Sequence, residues 1–225
     1  MSPAMPPARS AISRSTISRS AIFRALSRGP ALLLAALLLA AMLLAGCAAY
    51  ALVPPGRVAV KEAISIEPDV AWNRINPAIG SNRVETWTLD GLTLNTLTFY
   101  IGITDGEPLA ARQPTGTPTP PPLPVFRKTM SEADIAELFE ATMVRGLAGT
   151  SFRYLSIKPA AMGTAAGMLL EFTVTTRDQV DRQGLAIGAV KDGRLYLIVY
   201  TGTRLYHFAR DRHSIETLFA TVRFL

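Results

Sequence analysis

LAIGAVKDGRLYLIVY, residues 185–200, is the stretch on which the fold turns. Leu185, Ile187 and Ala189 mark one face of a strand that runs to Lys191, and Arg194 opens a second strand of strongly strand-forming residues. Asp192 and Gly193 stand between them. An Asp-Gly pair flanked by two such runs predicts a two-residue hairpin, because the tight turn that suits twisted strands needs positive φ at both central positions. On the returning strand Arg194, Tyr196, Ile198 and Tyr200 share a face. Its mixture of charge, aromatic rings and aliphatic bulk makes it the candidate contact surface of the domain.

Working outward, Met168, Leu170, Phe172 and Val174 alternate with period two and predict a further strand, with a short one at 152–157 before it and Gly163, Thr164 and Gly167 as a loose connection. Upstream, the runs 84–89 and 92–101 flank Asp90 and Gly91, a second hairpin signal that puts Trp87 and Leu89 on one face. Val58, Val60, Ile64 and Ile66 also alternate. One helix lies between the hairpins: Ser131 and Asp134 form a capping-box pattern, and Ile135, Leu138, Phe139, Thr142 and Met143 line one side opposite Glu137 and Glu140. Ile215, Leu218, Phe219 and Val222 predict a closing helix capped by Ser214. The prolines of 113–124 exclude regular pairing and predict an exposed insertion.

Hairpins on either side of a helix, with a helix at the end, predict an α+β fold: an antiparallel sheet covered by helices. Residues 185–200 and 214–224, with the helix after Ser131, carry a resemblance to the PsbP-type domain, a curved antiparallel sheet between helices. The resemblance implies a binding or assembly role, which is the function of most members of that fold.

The N-terminus carries a different kind of information. Arg9, Arg14, Arg19, Arg24 and Arg28 precede an uncharged run, residues 31–53, in the order of an export signal. Within it, Leu44, Ala45, Gly46 and Cys47, the only cysteine, resemble the lipobox of bacterial lipoprotein precursors. That resemblance implies cleavage before Cys47 and attachment of diacylglycerol to its sulfur. Residues 1–46 would be the signal peptide, 47–55 a lipidated tether and 56–225 one domain with the 113–124 insertion. Two or three acyl chains hold a protein durably on a membrane without crossing it. Ala48 stands where an aspartate favours inner-membrane retention in enteric-type lipoproteins, so the resemblance leans toward the outer membrane. The alternative is a retained single-pass helix, since the run is also long enough to span a bilayer, and the arginines would then keep the domain on the exported side.

Composition narrows the function. The net charge of +6 is mostly those five leader arginines, and the remaining 18 Lys and Arg face 17 Asp and Glu. A near-neutral exported part lacks the basic footprint of a nucleic-acid binder. A cysteine committed to lipid leaves none for a disulfide or a thiolate nucleophile. His207 and His213 lack the i, i+4 spacing of a zinc helix, and no G-x-S-x-G elbow occurs. The sequence therefore predicts no catalytic residues, cofactor or metal, and a protein partner in the envelope. An envelope hydrolase using His207 or His213 is the enzymatic alternative.

Overall fold

The computed structural model describes residues 50–75, 82–110, 122–146 and 149–225. The chain divides into two units, Met1–Cys47 and Ala48–Leu225, and every described residue belongs to the second. Cys47, the leader and most of the Pro-rich insertion lie outside the described residues.

Eight strands form one antiparallel sheet in the order β1-β4-β5-β6-β10-β9-β8-β7. They are β1 (Tyr50–Val53), β4 (Trp72–Ile75), β5 (Val84–Thr88), β6 (Asn95–Ile103), β7 (Gly149–Met162), β8 (Ala165–Thr176), β9 (Asp181–Lys191) and β10 (Arg194–Thr203). A small second sheet joins β2 (Val58–Val60), β3 (Ile64–Ile66) and β11 (Arg223–Phe224). Among the described residues two α-helices, α1 (Glu132–Ala141) and α2 (His207–Ala220), complete the α+β fold.

The predicted hairpin at 192–193 closes in register, Lys191 opposite Arg194, with φ of 50° at Asp192 and 70° at Gly193. The connection at 163–164 is equally tight. Met162 pairs with Ala165 and Gly163 takes φ of 58°, so what the sequence suggests as a loose link is a hairpin turn. The strand expected at 152–157 extends to fourteen residues because β8 supplies a partner along its whole length. Pro159 is tolerated there since β7 is the edge strand and its outer side needs no donor.

Four further expectations change. Residues 50–53, expected in the tether, form β1 and pair with β4, because Val53 is buried in the core. That leaves 31–49 as the uncharged run ahead of the sheet. The turn at Asp90 and Gly91 is wider than two residues: β5 ends at Thr88 and β6 begins at Asn95, whose buried side chain organises the loop between. The last helix begins at His207, not Ser214; Ser214 lies inside it and its hydroxyl donates to Asp69 Oδ1 (2.5 Å). Helices are also not the whole cover of the sheet, since strands β2, β3 and β11 share one side with α2 and part of the other side is left open.

The core has two layers, one on each face of the sheet. On one, Trp72, Trp87, Phe99, Ile198 and Tyr200 pack with Ile215, Leu218 and Phe219 of α2 and with Val60, Ile64 and Ile66. On the other, Met168, Leu170 and Phe172 pack with Ile135, Leu138 and Phe139 of α1. The capping box forms as predicted: Asp134 N–H donates to Ser131 Oγ (3.2 Å) and Ser131 N–H to Asp134 Oδ2 (2.8 Å). The last turn of this helix widens into a π turn, Thr142–Gly146, where Thr142 Oγ1 donates back to the Leu138 carbonyl.

Candidate ligand-binding groove

Alternation places Arg182, Gly184, Ala186 and Gly188 of β9 on the α1 side of the sheet, with Val174 of β8 and Val199 and Thr201 of β10 beside them. Thr96, Thr98 and Tyr100 of β6 continue the same floor. At the end of the sheet where β9 begins and β10 ends, these residues line an open cavity of about 340 Å³, walled by Met143 of the π turn and Leu92 of the β5–β6 loop. Thr96 and Thr201 hydroxyls bond each other (2.8 Å), and those of Thr86 and Thr98 approach to 3.4 Å. The floor is therefore a band of hydroxyls and valine methyls.

Among the described residues Arg182 is the only charged one lining that cavity, and it is 9% exposed. Its Nη2 donates to the Thr93 carbonyl at 2.6 Å, which also holds the β5–β6 loop down on the sheet. It forms no ion pair among the described residues. Burial lowers its pKa, and the charge of Asp178 acts in the opposite sense. A guanidinium has five donors, so one neutral acceptor leaves most of its hydrogen-bonding capacity open. Tyr100 is 3% exposed, and its hydroxyl has no hydrogen-bond partner among the described residues. Burial pushes its pKa up to about 12. Beyond Arg182 a second cavity of about 320 Å³ continues along the sheet end past Arg153 and Arg204, the latter already paired with Asp181 (2.9 Å).

The contact face expected on β10 is not on the surface. Ile198 and Tyr200 are fully buried under α2, and Tyr196 packs edge to face on Phe224 (5.0 Å). Arg194 alone remains exposed. The cause is that α2 starts earlier than its own periodicity suggests and lies across this face. Tyr200 OH donates to Asp211 Oδ2 (2.6 Å), and Asn95 Nδ2 donates to Asp90 Oδ2 (2.6 Å) and Asp211 Oδ2 (3.2 Å). Arg210 bonds both carboxylates, and its guanidinium beside Asp90 holds that carboxyl below the usual range.

His207 sits at the edge of this network. Thr203 Oγ1 and His207 Nδ1 lie 2.7 Å apart, and Nε2 is 3.9 Å from Asp90, longer than a hydrogen bond. Asp90 already accepts from Arg210 and Asn95, so the cluster reads as a clasp between the β5–β6 loop and α2. His213 is exposed on α2. Among the described residues no group of three His, Cys, Asp or Glu side chains forms a metal site.

The sequence analysis does not single out Arg182. Its signal is parity: it falls out of phase with Leu185, Ile187 and Ala189 of its own strand, which pack on the α2 side, and so faces the other side, as Tyr100 does on β6.

No protein-family model and no curated protein matches the chain. A solved structure does: the solution structure of cyanobacterial PsbP (CyanoP) from Synechocystis sp. PCC 6803, at 13% identity and a TM-score of 0.52, over 80% of this chain and 95% of that one. At that identity the likeness concerns fold alone, and the domain that begins at β1 has a PsbP-type fold.

Proposed function

We propose that the chain is an envelope lipoprotein, anchored through diacylglycerol on Cys47, whose PsbP-type domain works by binding and carries no catalytic centre. The observation that supports a binding role is the groove on the α1 side, where Arg182 and the hydroxyl of Tyr100 face an open cavity with donors to spare. Hydrophilic donors held at the floor of a partly apolar concavity are the usual make-up of a ligand site. The anchor rests on the lipobox-like residues 44–47. In the sequence only residues 48 and 49 separate Cys47 from Tyr50, the first residue of β1. Ala48 favours the outer membrane as its location.

The intact mass of the membrane-bound chain tests the anchor. The expected species begins at Cys47 and carries the added mass of diacylglycerol, and Cys47→Ser accumulates uncut precursor. An uncleaved wild-type chain still held in the membrane overturns the lipoprotein reading in favour of a signal anchor. In that case residues 31–49 would make a helix of about 28 Å, still close to the thickness of a hydrocarbon core.

A further inference from the structure

Building on the reading of this domain as a binding domain, we propose that the groove takes a small carboxylate on an apolar body, its carboxylate on Arg182 and its apolar part against Val174, Val199 and Met143. A buried cation is costly unless it is paired and hydrogen-bonded. Arg182 has one neutral acceptor and no ion pair among the described residues. The guanidinium fork matches a planar carboxylate, which fills two of its donors at once. Tyr100 lines the same cavity with its hydroxyl unpartnered among the described residues, a second donor for the same anion.

Charge sets the valence of the ligand. Among the described residues Arg182 is the only charge lining this cavity, which matches a monoanion; Arg153, the next cation along the sheet end, lines the adjoining cavity, where the second charge of a dianion would have to reach. Size sets its bulk. At about 340 Å³ the cavity stands near the lower limit of ligand sites, roughly 300–1,000 Å³. The remaining walls among the described residues are valine, methionine and leucine side chains and threonine hydroxyls, which suit an aryl or short alkyl body.

The test uses the full chain in lipid nanodiscs with labelled Met, Leu and Val methyls, titrated with benzoate, benzyl alcohol and phenyl phosphate. Benzoate is expected to shift the Met143, Val174 and Val199 methyls saturably, with benzyl alcohol and phenyl phosphate at least about tenfold weaker. Arg182→Gln should weaken benzoate by about tenfold or more, the loss expected for a charge-assisted hydrogen bond, while Tyr100→Phe costs less. Arg182→Lys, which keeps the charge, should recover part of the affinity and guards against a folding defect in the neutral variant. Equal binding of benzoate and benzyl alcohol overturns the anion site while leaving a groove that binds. Tighter binding of phenyl phosphate overturns the monoanion assignment, and unchanged affinity in Arg182→Gln overturns the role of that residue. No saturable shift with any probe overturns the proposal outright. Failure of the lipoprotein reading shows instead in the intact mass and leaves these shifts as they are.

Discussion

On the α2 side of the sheet a fourteen-residue helix and three short strands cover the floor, whereas on the α1 side a ten-residue helix ends and the floor runs on beyond it. Length does not account for the contrast, since α1 with its π turn runs from Glu132 to Gly146 and is as long as α2; what differs is what lies beside each helix and how each is fastened. α2 is strapped at both ends. The Asp90–Asn95–Asp211–Arg210 clasp holds its start, and Thr221 at its end accepts from the Glu67 N–H (2.9 Å). In its middle Arg212 bonds Glu171 through both terminal nitrogens (2.9 and 3.1 Å). The α1 side has aromatic packing instead, Phe139 against Phe172 (5.2 Å) and Phe152 (5.9 Å), with Tyr154 OH on the Ala136 carbonyl (2.6 Å). One side is closed for stability, and the other leaves room for a ligand.

Mutations should separate the two sides. Ile215→Ala opens a cavity in the closed layer, where Ile215 is fully buried, and should cost about 2–5 kcal/mol in urea denaturation. Gly184→Ala probes the sheet between the layers: a Cβ there would meet Phe172 Cζ at 2.4 Å and the Tyr200 carbonyl oxygen at 2.5 Å. The backbone atom cannot swing aside, so the expected loss is about 1–3 kcal/mol by the same measurement.

Acid should loosen the clasp before the groove. Hydrogen bonds from Arg210 and Asn95 hold the Asp90 carboxyl below its ordinary value against the opposing effect of burial. At Glu171 burial raises the pKa, and the bonds from Arg212 and Gln183 outweigh it to give a net lowering. A carboxylate with a depressed folded pKa stabilises the fold above its unfolded pKa and loses that contribution as pH falls through the folded one. Thermal stability should therefore decline below about pH 4, and Asp90→Asn should make the decline shallower. The smallest effect belongs to the open side. Thr98→Val removes one long hydroxyl contact from a floor that nothing covers, and the change in denaturation free energy should stay within about 0.5 kcal/mol.

What could be read from the chain follows the same division. The 192–193 turn and the Ser131–Asp134 cap were legible because each is decided by neighbours within four residues. The start of α2 was not, since Tyr206 offers no side-chain cap and the first turns are held by Phe208 and Asp211 against distant strands. The Asp90 loop misled for a related reason: the Asn95 side chain takes three donors from residues 88–90, and nothing local distinguishes that asparagine from a solvent-facing one. Arg182 reads as a surface charge until β8 and β10 are placed on either side of it. The groove is thus a product of register and of where α1 lies on the sheet, neither of which a single strand reveals.

Native mass spectrometry of the chain extracted from its own membrane tests the central claim most directly, that the open side is where the domain binds. The account predicts a lipidated chain beginning at Cys47 with a small non-covalent ligand, lost when Val199→Trp fills the groove. A ligand retained unchanged in that variant, or a wild-type chain that carries none, would contradict it.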